Sequence, residues 1–88
     1  MPYLYLIRCK EFLKIGIAND VGSRIASLQT GNPYKLELLD AYQFDNPMPV
    51  EQSLHQRFAQ LRTNGEWFTL ADADIQIAAA MARIPEVM

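Results

Sequence analysis

Cysteine is nearly absent: Cys9 stands alone, so no disulfide can form within the chain. Its thiol reads as a small, buried or half-exposed apolar group. A basic excess is also missing. Eight Lys and Arg face ten Asp and Glu, for a formal charge of −2. Phosphate binding depends on clustered cations, so this average argues mildly against a nucleic-acid partner unless a local basic face lies beneath it. No secretory-signal pattern opens the sequence, and it holds no repeat, low-complexity tract or linker. The most apolar stretch, residues 75–84, is too short to span a bilayer and is broken by Gln76 and Arg83. These absences lead to the expectation of a cytoplasmic protein without a membrane partner. What is present is a chain of 88 residues, half of them hydrophobic. That suits one domain over residues 1–88 with one core, near the lower size limit for folding without staples.

The pattern predicts alternating strands and helices. Residues 3–8 are rich in aromatic and branched apolar side chains, Lys10-Glu11 makes a polar break, and residues 12–17 alternate, with Leu13, Ile15 and Ile17 on one face. Two such runs around a short break predict an antiparallel hairpin. Asn19 or Asp20 caps a first helix carrying Val21, Ile25 and Leu28, which Gly31-Asn32-Pro33 ends. Residues 36–44 read as a third strand. Asn46-Pro47 and Pro49 open a second helix with Val50, Leu54, Phe58 and Leu61 on one stripe. Asn64-Gly65 is a turn, and Thr69 caps a last helix that buries Leu70, Ile77, Met81 and Ile84, with Asp72 in its first turn. The expected fold is α+β: a three-stranded antiparallel sheet flanked by helices, in the order β-β-α-β-α-α.

Several residues could carry chemistry. At about 100° per residue, Glu51, His55 and Arg62 fall within roughly 40° of one another on a flank of the second helix. Glu51 and His55 are four apart and can touch. A carboxylate beside an imidazole can hold a divalent cation or move protons, though the same spacing is common on solvated helix flanks. Arg24, at the border of the first helix's apolar stripe, either reaches a phosphate through its planar fork or covers apolar surface with its stem. Tyr5 could accept a proton only if its pKa fell. Bringing it from near 10 to about 8 needs roughly 2.7 kcal/mol of preferential phenolate stabilisation, from Lys, Arg or a metal; a strand tyrosine more commonly just packs. Gly16 clears space on the sheet, as glycine does where a ligand or backbone comes close. Trp67 and Phe68 read as a plug between the second helix and the sheet, with base stacking as the alternative.

The order of these features resembles the GIY-YIG nucleases. Tyr3-Leu4-Tyr5-Leu6-Ile7-Arg8-Cys9 followed by Lys14-Ile15-Gly16-Ile17 is similar to the family's paired strand motifs. Leu28-Gln29-Thr30-Gly31-Asn32-Pro33, the pair Glu51 and His55, and Gly65-Glu66-Trp67-Phe68 resemble a phage and bacterial branch with a Lys-Ile-Gly second motif. The resemblance covers residues 3–70. It implies a metal-dependent endonuclease that hydrolyses phosphodiester bonds in nucleic acid, with DNA the expected substrate. Glu51 would hold Mg²⁺ or Mn²⁺, Tyr5 would take a proton from water, and Arg24 would stabilise transition-state charge. Lys14 replaces the tyrosine of the second motif and could lower the pKa of Tyr5 or bind phosphate. His55 would orient a neighbour or carry a proton. The family often joins a separate DNA-binding domain, and none is recognised in this sequence, so weak site specificity is expected. A silent nucleic-acid-binding module and a protein-interaction domain are the competing readings.

Overall fold

The computed structural model describes residues 2–83. β1 (Tyr3–Cys9) and β2 (Phe12–Ala18) form the expected hairpin, antiparallel from Tyr3 opposite Ala18 to Cys9 opposite Phe12. Lys10 turns the corner at φ +58°, a left-handed conformation that costs a side-chain-bearing residue free energy. Asp20 caps α1 (Val21–Thr30), its carboxylate accepting the Ser23 N–H at 3.0 Å. β3 (Glu37–Gln43) pairs antiparallel with β1, the register shifting between Leu6 and Ile7. α2 (Met48–Arg57) begins with proline in its first turn and is followed by one 3-10 turn, Ala59–Leu61.

The next segment corrects the predicted topology. Around Asn64-Gly65, β4 (Arg62–Asn64) and β5 (Trp67–Thr69) form a second hairpin, with Gly65 at φ +55°. β5 pairs with β2, so the sheet has five strands rather than three, all antiparallel, in the order β3-β1-β2-β5-β4. Strands of three residues are too short to show alternation, and Asn-Gly registered only as a turn. Thr69 is accordingly the last residue of β5 and not a helix cap; α3 runs Asp72–Arg83. α2 stops at Arg57, which leaves Leu61 exposed and Arg62 on β4. The expected burial of Ile84 lies outside the described residues.

Both faces of the sheet are covered. Leu4, Leu6, Leu13 and Ile15 point to one side and pack with Leu54 and Phe58 at α2, Phe68 of β5, and Ala78 and Ala82 of α3. Tyr5, Ile7, Cys9 and Ala18 point to the other side, where Val21, Ile25 and Leu28 of α1 lie over them. Central β1 is therefore buried on both faces, and its sequence reads as a continuous apolar run. Each fully buried Leu or Ile stabilises the fold by about 1.5–3 kcal/mol. α1 buries no residue completely, so it is the more lightly held layer.

Candidate active site

β2 loses a neighbour half-way along its length. β5 accompanies it as far as Lys14 opposite Trp67, and one further bond joins the Ile15 N–H to the Glu66 carbonyl at 3.1 Å. Where β5 ends, α2 takes over. His55 Nε2 meets the Ile15 carbonyl at 2.9 Å. A carbonyl only accepts, so Nε2 carries the proton and donates. Arg62 Nη2 approaches the other ring nitrogen at 3.4 Å, and the imidazole tilts against Phe68 with ring centroids 5.1 Å apart. His55 thus pins α2 to the sheet, and Glu51, one helical turn earlier, comes with it.

Gly16 lies at the centre of this junction. Tyr5 is its cross-strand partner, and the phenol lies over the glycine. A Cβ on Gly16 would stand 2.5 Å from the Tyr5 hydroxyl oxygen, 2.7 Å from Tyr5 Cζ and 2.8 Å from Glu66 Oε1. The absent side chain is the space these groups occupy. Arg24 reaches down from α1, and its Nη1 donates to the Tyr5 hydroxyl at 3.4 Å. Lys14 Nζ pairs with Glu66 Oε1 at 3.2 Å, and the Glu66 carboxylate is near enough to Glu51 to push its carboxyl pKa up. Two motif strands, one residue of α1 and one of α2 therefore supply a phenol, a guanidinium, an ammonium and a carboxylate to one place.

The model of the T5orf172 domain matches residues 2–83, nearly the whole chain. The chain belongs to the T5orf172 domain family. That family is associated with nuclease-like and DNA-binding functions. No curated protein and no solved structure matches the chain. Among the described residues of this T5orf172 domain, no helix is long and apolar enough to cross a membrane.

Electrostatics in the T5orf172 site run against simple ionisation. Burial pushes the Tyr5 phenol above its ordinary value; the Arg24 contact pulls it down, and the nearby charges of Glu66 and then Glu51 push it up again. The lowering that a proton acceptor needs is not met in the free protein. Burial also pushes the Glu51 carboxyl above the ordinary carboxylate range. The nearby Glu66 adds to that, while His55 and Lys14 oppose it.

Glu66 is the member of this cluster that sequence reasoning missed. It lies next to β2 only because β4 and β5 form a hairpin, and the signal for that hairpin was Asn64-Gly65 with aromatic Trp67-Phe68 behind it. Trp67 and Phe68 are also not one plug. As adjacent strand residues they face opposite ways, Phe68 into the core under α2 and α3 and Trp67 toward the α1 side. Of the candidates, Tyr5 and Arg24 are in direct contact, Lys14 and Glu51 meet through Glu66, and His55 turns its N–H away to the backbone. The Tyr5 ring is fully buried, but its hydroxyl end meets Arg24 and Glu66 rather than apolar packing alone.

Proposed function

We propose that this T5orf172 domain is a metal-dependent endonuclease of GIY-YIG type, hydrolysing phosphodiester bonds in nucleic acid, with DNA as substrate. The observation that carries this reading is the meeting of Tyr5, Arg24 and the Glu51–Glu66 pair around Gly16. A fold needs no such set for its own stability. Hard carboxylate oxygens from one or two side chains are the donors Mg²⁺ prefers, the rest of its shell being water and substrate oxygen. Glu51 and Glu66 fit that requirement, and the upward push of the Glu66 charge on the Glu51 carboxyl is what a cation bound between them would relieve. Bound there, Mg²⁺ or Mn²⁺ would supply Lewis-acid polarisation of a phosphoryl oxygen and a counter-charge for the leaving oxygen.

The side chains divide the remaining work. Arg24 is exposed, and with Nη1 on the phenol the rest of its fork would make charge-assisted bonds to a phosphate. Tyr5 takes the proton of the attacking water. Neutralising Glu51 and Glu66 removes two of the three causes that raise the phenol, while the lowering influence of Arg24 is still there. Releasing Glu66 from Lys14 frees an ammonium beside the same phosphate. His55 holds α2 in place through the Ile15 carbonyl.

Incubation with supercoiled plasmid and Mg²⁺ or Mn²⁺, beside Glu51→Ala and Arg24→Ala, tests the reading. Cleavage by the wild type that both variants lose is the expected result. Equal cleavage by all three preparations would indicate a contaminant and remove the assignment. The raised phenol favours a second reading, a silent DNA-binding module; salt-dependent binding without any cutting would select it.

A further inference from the structure

A hollow of about 300 Å³ opens beside the site on the same, α1-facing side of the sheet, walled by Cys9, Phe12, Tyr34 and Trp67 with the amides of Asn32 and Asn64 among its lining groups. We propose that it receives one unpaired nucleobase of the strand being cut, a substrate preference that rests on the nuclease reading above. Phe12, Lys14 and Gly16 alternate along β2, so Phe12 stands about 13 Å from Gly16 at about 3.3 Å per residue. Trp67, the cross-strand partner of Lys14, forms the wall between hollow and site. Lys14 Nζ lies 5.5 Å from the centre of the Trp67 ring and 3.2 Å from Glu66, so one ammonium serves both places. A second cation lies across the hollow: Lys10 Nζ is 4.1 Å from the centre of the Tyr34 ring.

Three features narrow the occupant. Three aromatic side chains line one small, largely apolar cavity, and aromatic faces accept any base by stacking. Tyr34 is half exposed, so the hollow is bounded on that side by a side chain that solvent also reaches. Both lysines stand against rings that line the hollow, giving it cationic flanks in a chain whose average charge is acidic. Lys10 occupies a left-handed position better suited to glycine or asparagine, and its ammonium is directed over Tyr34. The volume is at the small end for ligand cavities and suits a single planar ring system. A base stacked in a duplex could not enter, so the ligand is a base in single-stranded or locally opened nucleic acid.

Trp67 is the chain's single tryptophan, and its fluorescence therefore reports on this hollow. The intact chain is titrated in EDTA at low salt with two single-stranded DNA oligonucleotides of equal length, one with bases and one abasic. The base-bearing oligonucleotide should quench Trp67 and bind about tenfold more tightly than the abasic one. Tyr34→Ala, at a half-exposed position, should abolish that difference while leaving abasic binding and the circular dichroism spectrum unchanged. Equal affinities with no quenching, from a wild-type protein that still nicks plasmid, would overturn the base pocket alone. Binding of neither oligonucleotide would likewise overturn the base pocket, and the nuclease reading falls with it only if the same protein also leaves plasmid uncut in Mg²⁺ and Mn²⁺.

Discussion

Gly16→Ala puts a methyl group where the Tyr5 phenol now lies. The new carbon would stand 2.5 Å from the hydroxyl oxygen and 2.7 Å from Cζ, against about 3.5–4.0 Å for a comfortable contact. One partner must yield by about an ångström. Glu66 can swing aside, but the Tyr5 ring is fully buried between β1 and α1 and has little freedom. Overpacking of this kind costs about 1–3 kcal/mol. Replacing glycine within a strand returns roughly 0.5–1 kcal/mol of conformational entropy, so the net loss centres near 1 kcal/mol. For a domain of this size that lowers Tm by roughly 4–8 °C. Calorimetric melts of the wild type, Gly16→Ala, Tyr5→Phe and the double variant measure it. Tyr5→Phe removes the nearest atom, so the double variant should be more stable than the summed single effects predict, by more than the roughly 0.3–0.5 kcal/mol within which independent sites add. A Gly16→Ala protein that melts at or above the wild-type temperature, or a cycle that closes additively, would show that the phenol is not seated on the glycine.

Glu51 gives a pH-dependent expectation. Its folded pKa is raised, so the folded state binds this proton more tightly than the unfolded chain does. The stabilisation is complete below the unfolded value, near 4.3 on average, and is lost as pH rises through the raised folded value. Glu51→Gln, a neutral mimic, should therefore melt above the wild type at pH 7 and close to it at pH 4. Millimolar Mg²⁺ should narrow the pH 7 gap by raising only the wild-type Tm; identical melting curves at both pH values would contradict the raised carboxyl. His55→Ala strips the Ile15 carbonyl of its side-chain donor and should cost about 1–3 kcal/mol in urea unfolding, with His55→Gln recovering part of it. An unchanged midpoint would mean that the bond contributes nothing to holding α2.

The parts of the fold that were legible in the sequence have strong local causes. The first hairpin follows from two seven-residue runs around a polar break, and Asp20 caps α1 where its side chain can reach a backbone N–H. Tyr5 and Gly16 become partners as soon as that hairpin is registered, and Arg24 follows from the helix that comes next. The missing pieces are those decided by distant contacts. β4 and β5 are three residues each and exist as strands because β2 offers an open edge. Without them Glu66 had no address, and the carboxylate pair could not be foreseen. Arg62 was expected beside His55 on one helix; it reaches His55 from β4 instead. The direction of the Tyr5 and Glu51 shifts was hidden for a similar reason, since burial is their largest cause and burial belongs to the assembled layers.

Single-turnover cleavage of an end-labelled DNA by wild type and Glu51→Gln, with Mg²⁺ in excess, is the deciding measurement. Gln keeps the size of the side chain and removes only its charge. A loss of about a hundredfold or more in rate, with the fold intact and DNA still bound, is the expected result for a carboxylate that acts on the reacting phosphate. Equal rates for the two proteins, or no cutting by the wild type at any Mg²⁺ or Mn²⁺ concentration, would contradict it.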